Sequence, residues 1–311
     1  MHDIILHHYP ESPFSEKIRL LLAYKSQSYQ AVTIPIIMPK PDLMPLTGGY
    51  RKTPVMQIGA DIYCDTAIIC KVIDRLCPGD TIYPAGSQAT DTAAAHWTDT
   101  FFFRVCVAMA FQPRALENHA LFQDEEAAAA FMADRAKLTA GSTQLTMDLE
   151  TANPYFLGHL QRLDNQLEAS EFLRGDRPTI LDFSTYHCCW FVHNNEAIRD
   201  SFSPFKRVLA WFERMRAYGQ GDLTELKGVA ALEIARNASP SSMSKSATTE
   251  LDQMQVGDEV EVMPIDYGFQ PVRGKLQLAS LEELVVRRED KQVGEVAVHF
   301  PRLGFRVTQL G

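Results

Sequence analysis

The spacing of apolar residues changes twice along this 311-residue chain, and that limits its fold more than any single motif. Up to about residue 83, short apolar runs alternate with amphipathic stretches. From about residue 87 the spacing is helical throughout, and beyond residue 249 it is that of short strands. Residues 237–249, before that last change, are small, polar and Ser-rich, which is linker chemistry. Since the chain is well beyond a typical domain of ~150 residues, the expected organisation is an α/β unit over 1–83, an all-α unit over 84–236, a linker over 237–249 and a small all-β unit over 250–311.

In the first unit, residues 4–8 read as a buried strand. Pro10-Glu11-Ser12-Pro13 breaks it before an amphipathic helix over 14–24, on which Ile18, Leu21 and Leu22 recur at helical spacing. Residues 29–35 read as a second strand, 38–52 as an irregular connection, and 55–58 with 62–64 as a hairpin around Gly59-Ala60-Asp61. A helix opens at Asp65-Thr66, so the order is βαβ, then ββα. The second unit reads as helices over 93–109, 125–138, 154–173 and 181–194, with Trp97, Phe101-Phe102-Phe103 and Trp190 as interior candidates. Thr179-Ile180-Leu181-Asp182 has the form of a capping box, and the helix after it is apolar nearly all round, which places it at the centre of a bundle. The last unit alternates over 256–262, 284–287, 293–300 and 305–310, the pattern of a small β-barrel.

Composition removes several function classes. With 46% apolar and 22% charged residues the chain supports a core and argues against disorder. The net charge is -9, and residues 1–83 hold eight basic and eight acidic side chains, so no unit offers the basic footprint of a nucleic-acid or anionic-membrane binder. No stretch nears the ~20 apolar residues of a membrane span, and the N-terminus lacks a signal peptide's pattern; the expectation is a cytoplasmic protein. Six cysteines without a Cys-x-x-Cys are expected to be reduced and mostly buried. His7-His8, His187, His193 and His299 have no defensible spacing with a third donor, so no metal is expected.

Three places carry candidate chemistry. Ser12 lies where a strand turns into a helix, so its hydroxyl and the first free N–H groups face one space, where an anion such as a thiolate is stabilised. The same residue with Pro13 reads equally as an ordinary N-cap pair. Pro54 reads either as a cis proline turning the Thr53 backbone outward to pair with an extended peptide, or as a trans proline starting an edge strand. Asp65-Thr66 is either a cap or a site for an amino-acid head group.

Together, and in this order of elements, these motifs resemble the glutathione transferases over roughly residues 1–236: a thioredoxin-like domain, then a helical domain. Ser12-Pro13-Phe14-Ser15 looks like a glutaredoxin Cys-Pro-Phe-Cys with both sulfurs replaced by oxygen, and its wording is similar to the plant tau class. The resemblance implies that Ser12 stabilises the glutathione thiolate, with Tyr9 and then Ser15 as competing hydroxyls. It implies that Phe14, Thr53 and Pro54 contact the tripeptide, that Asp65 and Thr66 hold its γ-glutamyl end, and that Lys40 and Lys52 serve the glycine carboxylate. Trp97, Arg104 and Phe111 are candidates for an acceptor pocket. The implied function is a glutathione transferase of detoxification type, with glutathione as co-substrate, a hydrophobic electrophile as second substrate, and a homodimer. The family usually ends with its helical domain, so the appended SH3-like barrel favours the alternative, a non-catalytic protein that uses the groove or the β-module to bind a partner.

Overall fold

The structure, a computed structural model, describes residues 3–77, 79–117, 120–142, 147–242 and 254–311. The first unit forms β1 (Ile5–His8), α1 (Pro13–Tyr24), β2 (Tyr29–Thr33), a one-turn α2 (Met44–Thr47), β3 (Val55–Ile58), β4 (Asp61–Cys64) and α3 (Thr66–Leu76). β1 runs parallel to β2 and antiparallel to β3, and β3 with β4 is the expected hairpin, although Asp61 belongs to its second strand and not to its turn. Side-chain alternation gives this sheet two apolar faces. Leu6, Met56 and Tyr63 pack with α1, α3 and the helical unit, while Ile5, Val55, Ile62 and Cys64 face the other way.

The helical unit comprises α4 (Gln88–Trp97), a π-helical turn at Thr98–Phe102, α5 (Phe103–Ala110), α6 (Pro113–Leu116), α7 (Ala120–Gln123), α8 (Glu125–Thr139), α9 (Leu149–Gln166), α10 (Ile180–His193) and α11 (Lys206–Arg216). The helix expected to begin at Pro154 begins at Leu149, because the Asp148 carboxylate caps it by accepting from the Thr151 N–H at 2.7 Å. The capping box forms: Asp182 accepts from the N–H groups of Thr179 and Leu173 and from Trp211 Nε1–H, all at 2.9 Å, fixing the start of α10. Phe102 is interior as expected, but Trp97 is 41% exposed and stacks on Phe101 at 5.6 Å. All six cysteines are buried and unpaired.

After α11, β5 (Leu223–Glu225) returns to pair in parallel with β2, and α12 (Gly228–Arg236) packs on the second face of the sheet. The C-terminal strands are β6 (Glu259–Pro264), β7 (Val272–Ala279), β8 (Glu283–Asp290), β9 (Gly294–Pro301) and β10 (Phe305–Gln309). The β-module is therefore present, but it is joined to the first unit and does not stand free behind a linker, whose residues 243–249 lie outside those described. β9 pairs in parallel with β4, so ten strands form one sheet in the order β10-β6-β7-β8-β9-β4-β3-β1-β2-β5. The physical reason is the edge that a four-stranded thioredoxin-like sheet leaves on β4, a row of unpaired backbone groups beside an apolar face. β9 covers that edge, and Val260, Leu276, Val286, Val298 and Phe300 merge with Ile5, Val55 and Ile62 into one core. Val298→Ala should therefore cost about 2 kcal/mol and lower a single calorimetric transition. A separate β-module transition, with the rest unmoved, would contradict the shared core.

Candidate functional site

Ser12 precedes α1 in extended conformation and caps it, its Oγ accepting from the Ser15 N–H at 3.2 Å, with Pro13 in the first turn where no N–H is needed. The Tyr9 side chain also hydrogen-bonds Ser12; burial pushes the Tyr9 phenol up, against the opposing pull of Arg135 and of that bond. Ser15 is fully buried, its hydroxyl lacks a partner among the described residues, and it does not line the cavity described below. Phe14 wedges between Phe103 and His187, each ring 4.6 Å away, and so fixes the turn against the helical unit.

The Thr53–Pro54 peptide is cis. Thr53 Oγ1 accepts from Lys40 Nζ at 3.0 Å, and Lys40, buried near Arg135 and Arg51, has its pKa lowered to about 8. Asp65 caps α3 from a backbone φ of 90°, a conformation costly for a residue with a Cβ, and accepts from the Ala67 N–H at 2.9 Å. Burial raises its pKa; the Ala67 N–H and Lys52 oppose this.

These residues converge on one cavity of about 2,220 Å³ between the first unit, the helices and the β-module. Tyr9, Ser12, Phe14, Lys40, Lys52, Thr53, Pro54, Asp65, Thr66, Arg104 and Phe111 all line it, but Trp97 and Ser15 do not. Trp97 is excluded because its ring is spent on Phe101 and Phe102. The cavity also has apolar lining, with Phe103, Phe111 and Phe131, and Leu281 and Leu303 of the β-module are exposed and line it as well.

Sequence reasoning missed the roof of this cavity. Arg51 donates to both oxygens of Asp134 on α8 at 2.5 Å, the Met38 N–H reaches the same carboxylate at 3.2 Å, and Arg135 donates to the Ile36 carbonyl at 3.1 Å. These bonds clamp α8 onto the irregular 38–52 connection. Beside it, the β6–β7 loop brings Asp266 within 2.6 Å of Lys52 Nζ. Neither clamp leaves a trace in local periodicity, since the partners are 83 and 214 residues apart.

A thioredoxin-like sheet joined to a helical bundle, with a polar groove at the start of α1, defines the class of fold. The family model described as the N-terminal domain of glutathione S-transferase matches residues 6–81. A solved GST-like protein from Pseudomonas syringae is 37% identical over 100% of both chains, with a TM-score of 0.83, so the likeness includes the β-module. A glutathione S-transferase from Rhodospirillum rubrum (18% identity, 69% of this chain, 88% of that one, TM-score 0.52) and a tau-class enzyme from mango, Mangifera indica (16%, 70% and 90%, 0.51), share the fold. Among curated proteins, none matches in sequence. The chain belongs to the glutathione S-transferase family. Among the described residues no helix is long and apolar enough to cross a membrane, and no group of three or more His, Cys, Asp or Glu is placed to hold a metal ion.

Proposed function

We propose that the cavity binds glutathione and that Ser12 activates its thiol for attack on a hydrophobic electrophile held against the Phe103, Phe111 and Arg104 side of the cavity. The carrying observation is the convergence of Ser12, Thr53-Pro54 and Asp65-Thr66 on one cavity that also has an apolar lining. Position favours Ser12 over Tyr9, because Ser12 stands at the N-terminus of α1, where free N–H groups also favour an anion. A hydroxyl has two lone pairs and one proton; the Ser15 N–H takes one lone pair of Ser12, and the Ser12 O–H is the group that would donate to a thiolate brought into the cavity. One charge-assisted hydrogen bond of ~1.5–3 kcal/mol lowers the thiol pKa by about one to two units. Asp65 and Thr66 serve the γ-glutamyl end, the Thr53 backbone the cysteinyl segment, and Lys40 and Lys52 the glycyl end.

Glutathione should raise the melting temperature, and Asp65→Ala should abolish the rise. With a panel of electrophiles, Ser12→Ala should shift the apparent thiol pKa up by about one to two units and slow turnover below that pKa by ~10- to 100-fold. No thermal shift at millimolar glutathione sinks the reading. The second reading, a non-catalytic groove-binding protein, is favoured by one observation, Asp266 already paired inside the groove; glutathione binding without turnover would select it. The proposal extends to a cytoplasmic, detoxifying homodimer with each first domain against the partner's second, which light scattering tests.

A further inference from the structure

The β6–β7 loop supplies the groove with a carboxylate of its own. Between Pro264 and Val272 the chain leaves the sheet and crosses above Lys52, where Asp266 Oδ1 lies 2.6 Å from Lys52 Nζ and also accepts the Tyr267 N–H at 2.8 Å. The ammonium sits 3.8 Å from the centre of the Tyr267 ring, so a carboxylate and an aromatic face hold one cation together. The loop is fastened from behind. The Ser142 hydroxyl donates to the Asp266 carbonyl at 2.8 Å, and the Gly268 N–H donates to the Leu138 carbonyl at 2.9 Å. Gly268 adopts φ +72°, and a Cβ there would sit 3.2 Å from Leu138 Cδ1 and 3.4 Å from Lys52 Cε, so the turn needs a glycine both for its conformation and for its closeness.

Several other cations lining the cavity are also engaged by carboxylates, Lys17 by Asp99, Arg51 and Arg135 by the single Asp134, and Lys71 by Glu282, whereas Lys40 donates to the Thr53 hydroxyl. A ligand that brings a second carboxylate to Lys52 meets the charge of Asp266 across a partly desolvated space, where like charges repel strongly. A ligand with an uncharged amide or ester at that end avoids the repulsion and still has the Tyr267 face to lie on.

We infer that Asp266 and Tyr267 are specificity-determining residues, and that they select a γ-glutamyl-cysteinyl thiol whose end beside Lys52 is uncharged over one that ends in a free carboxylate. The inference rests on the proposed reading of the groove, with the third residue of the tripeptide toward Lys52. It assigns the appended β-module a part in ligand choice: the module carries the loop that pairs Lys52.

Titration calorimetry of the full chain with glutathione and with its glycyl monoethyl ester tests it without any substitution. The wild-type protein should bind the ester at least as tightly as the acid. Asp266→Asn keeps the shape of the side chain and removes its charge; it should tighten glutathione binding by about tenfold or more and change ester binding by less than about threefold. A wild-type preference for glutathione of about tenfold, unchanged in Asp266→Asn, overturns the inference and leaves the groove reading standing. If neither ligand binds either protein, the groove reading fails and the inference falls with it.

Discussion

Replacing His299 with alanine is expected to destabilise the protein by about 3 kcal/mol, because it leaves the buried Asp61 and the partly buried Glu283 carboxylates without their shared cation. His299 lies on β9 and is 1% exposed. Its Nε2 pairs with Asp61 on β4 at 3.0 Å, its Nδ1 pairs with Glu283 on β8 at 2.7 Å, and the Tyr63 ring covers it at 4.4 Å. Asp61 also takes the Ser241 hydroxyl at 2.6 Å, so the imidazolium bridges the strands of the β4–β9 seam and Asp61 ties in the chain that leads into the β-module. Burial alone would lower the His299 pKa; the bonds to Asp61 and Glu283 overcome it and raise it above the ordinary value. A group whose folded pKa is raised stabilises fully below its unfolded pKa, here ~6.5, and the gain is lost as pH climbs through the folded value. Melting temperatures should therefore fall with rising pH above ~6.5 in the wild type, and that fall should be much reduced in His299→Ala. Parallel curves for the two proteins would show that the imidazole does not carry the seam.

The same residue shows how far the sequence could be read. Alternation over 293–300 identifies a strand, but a period of two says nothing about which edge that strand will meet, and His299 looks like a lone histidine when its partners are 16 and 238 residues away. The Ser12 turn, the β3–β4 hairpin and the Thr179–Asp182 box were legible because each is written within a few residues by prolines, caps and glycines. The position of Trp97 was not: its size suggests the interior, but the π turn that follows and the packing of Phe102 leave it at the surface. The roof of the site was hidden for the same reason as the seam. Arg51 with Asp134 and Lys52 with Asp266 become visible only when α8 and the β6–β7 loop are brought over the groove.

Asp99→Ala should have a comparably large effect, about 3–5 kcal/mol, for the opposite reason: it strands a buried cation. Lys17 on α1 is 1% exposed, and its Nζ donates to Asp99 at 2.7 Å and to Ser184 Oγ on α10 at 2.9 Å. The other oxygen of Asp99 pairs with His187 Nε2 at 2.9 Å, so a single carboxylate in the π turn ties the first unit to the central helix of the bundle. Burial would raise the Asp99 pKa, yet Lys17 and His187 hold it at about 2. A depressed carboxylate stabilises above its unfolded pKa of ~3.9 and loses that contribution as pH falls through about 2, a difference of roughly 2–3 kcal/mol. The acid limb of the unfolding curve should accordingly be shallower in the variant. Removing both charges in Lys17→Met with Asp99→Leu should recover at least about half of the loss, since an apolar pair does not carry the desolvation cost of a buried ion pair. A double variant less stable than Asp99→Ala would mean that packing, and not the stranded ammonium, dominates. Because Phe14 packs against His187, the single variant should also loosen the Ser12 turn and weaken thiol binding. Val298→Ala, on the far side of the sheet, should lower stability without that loss.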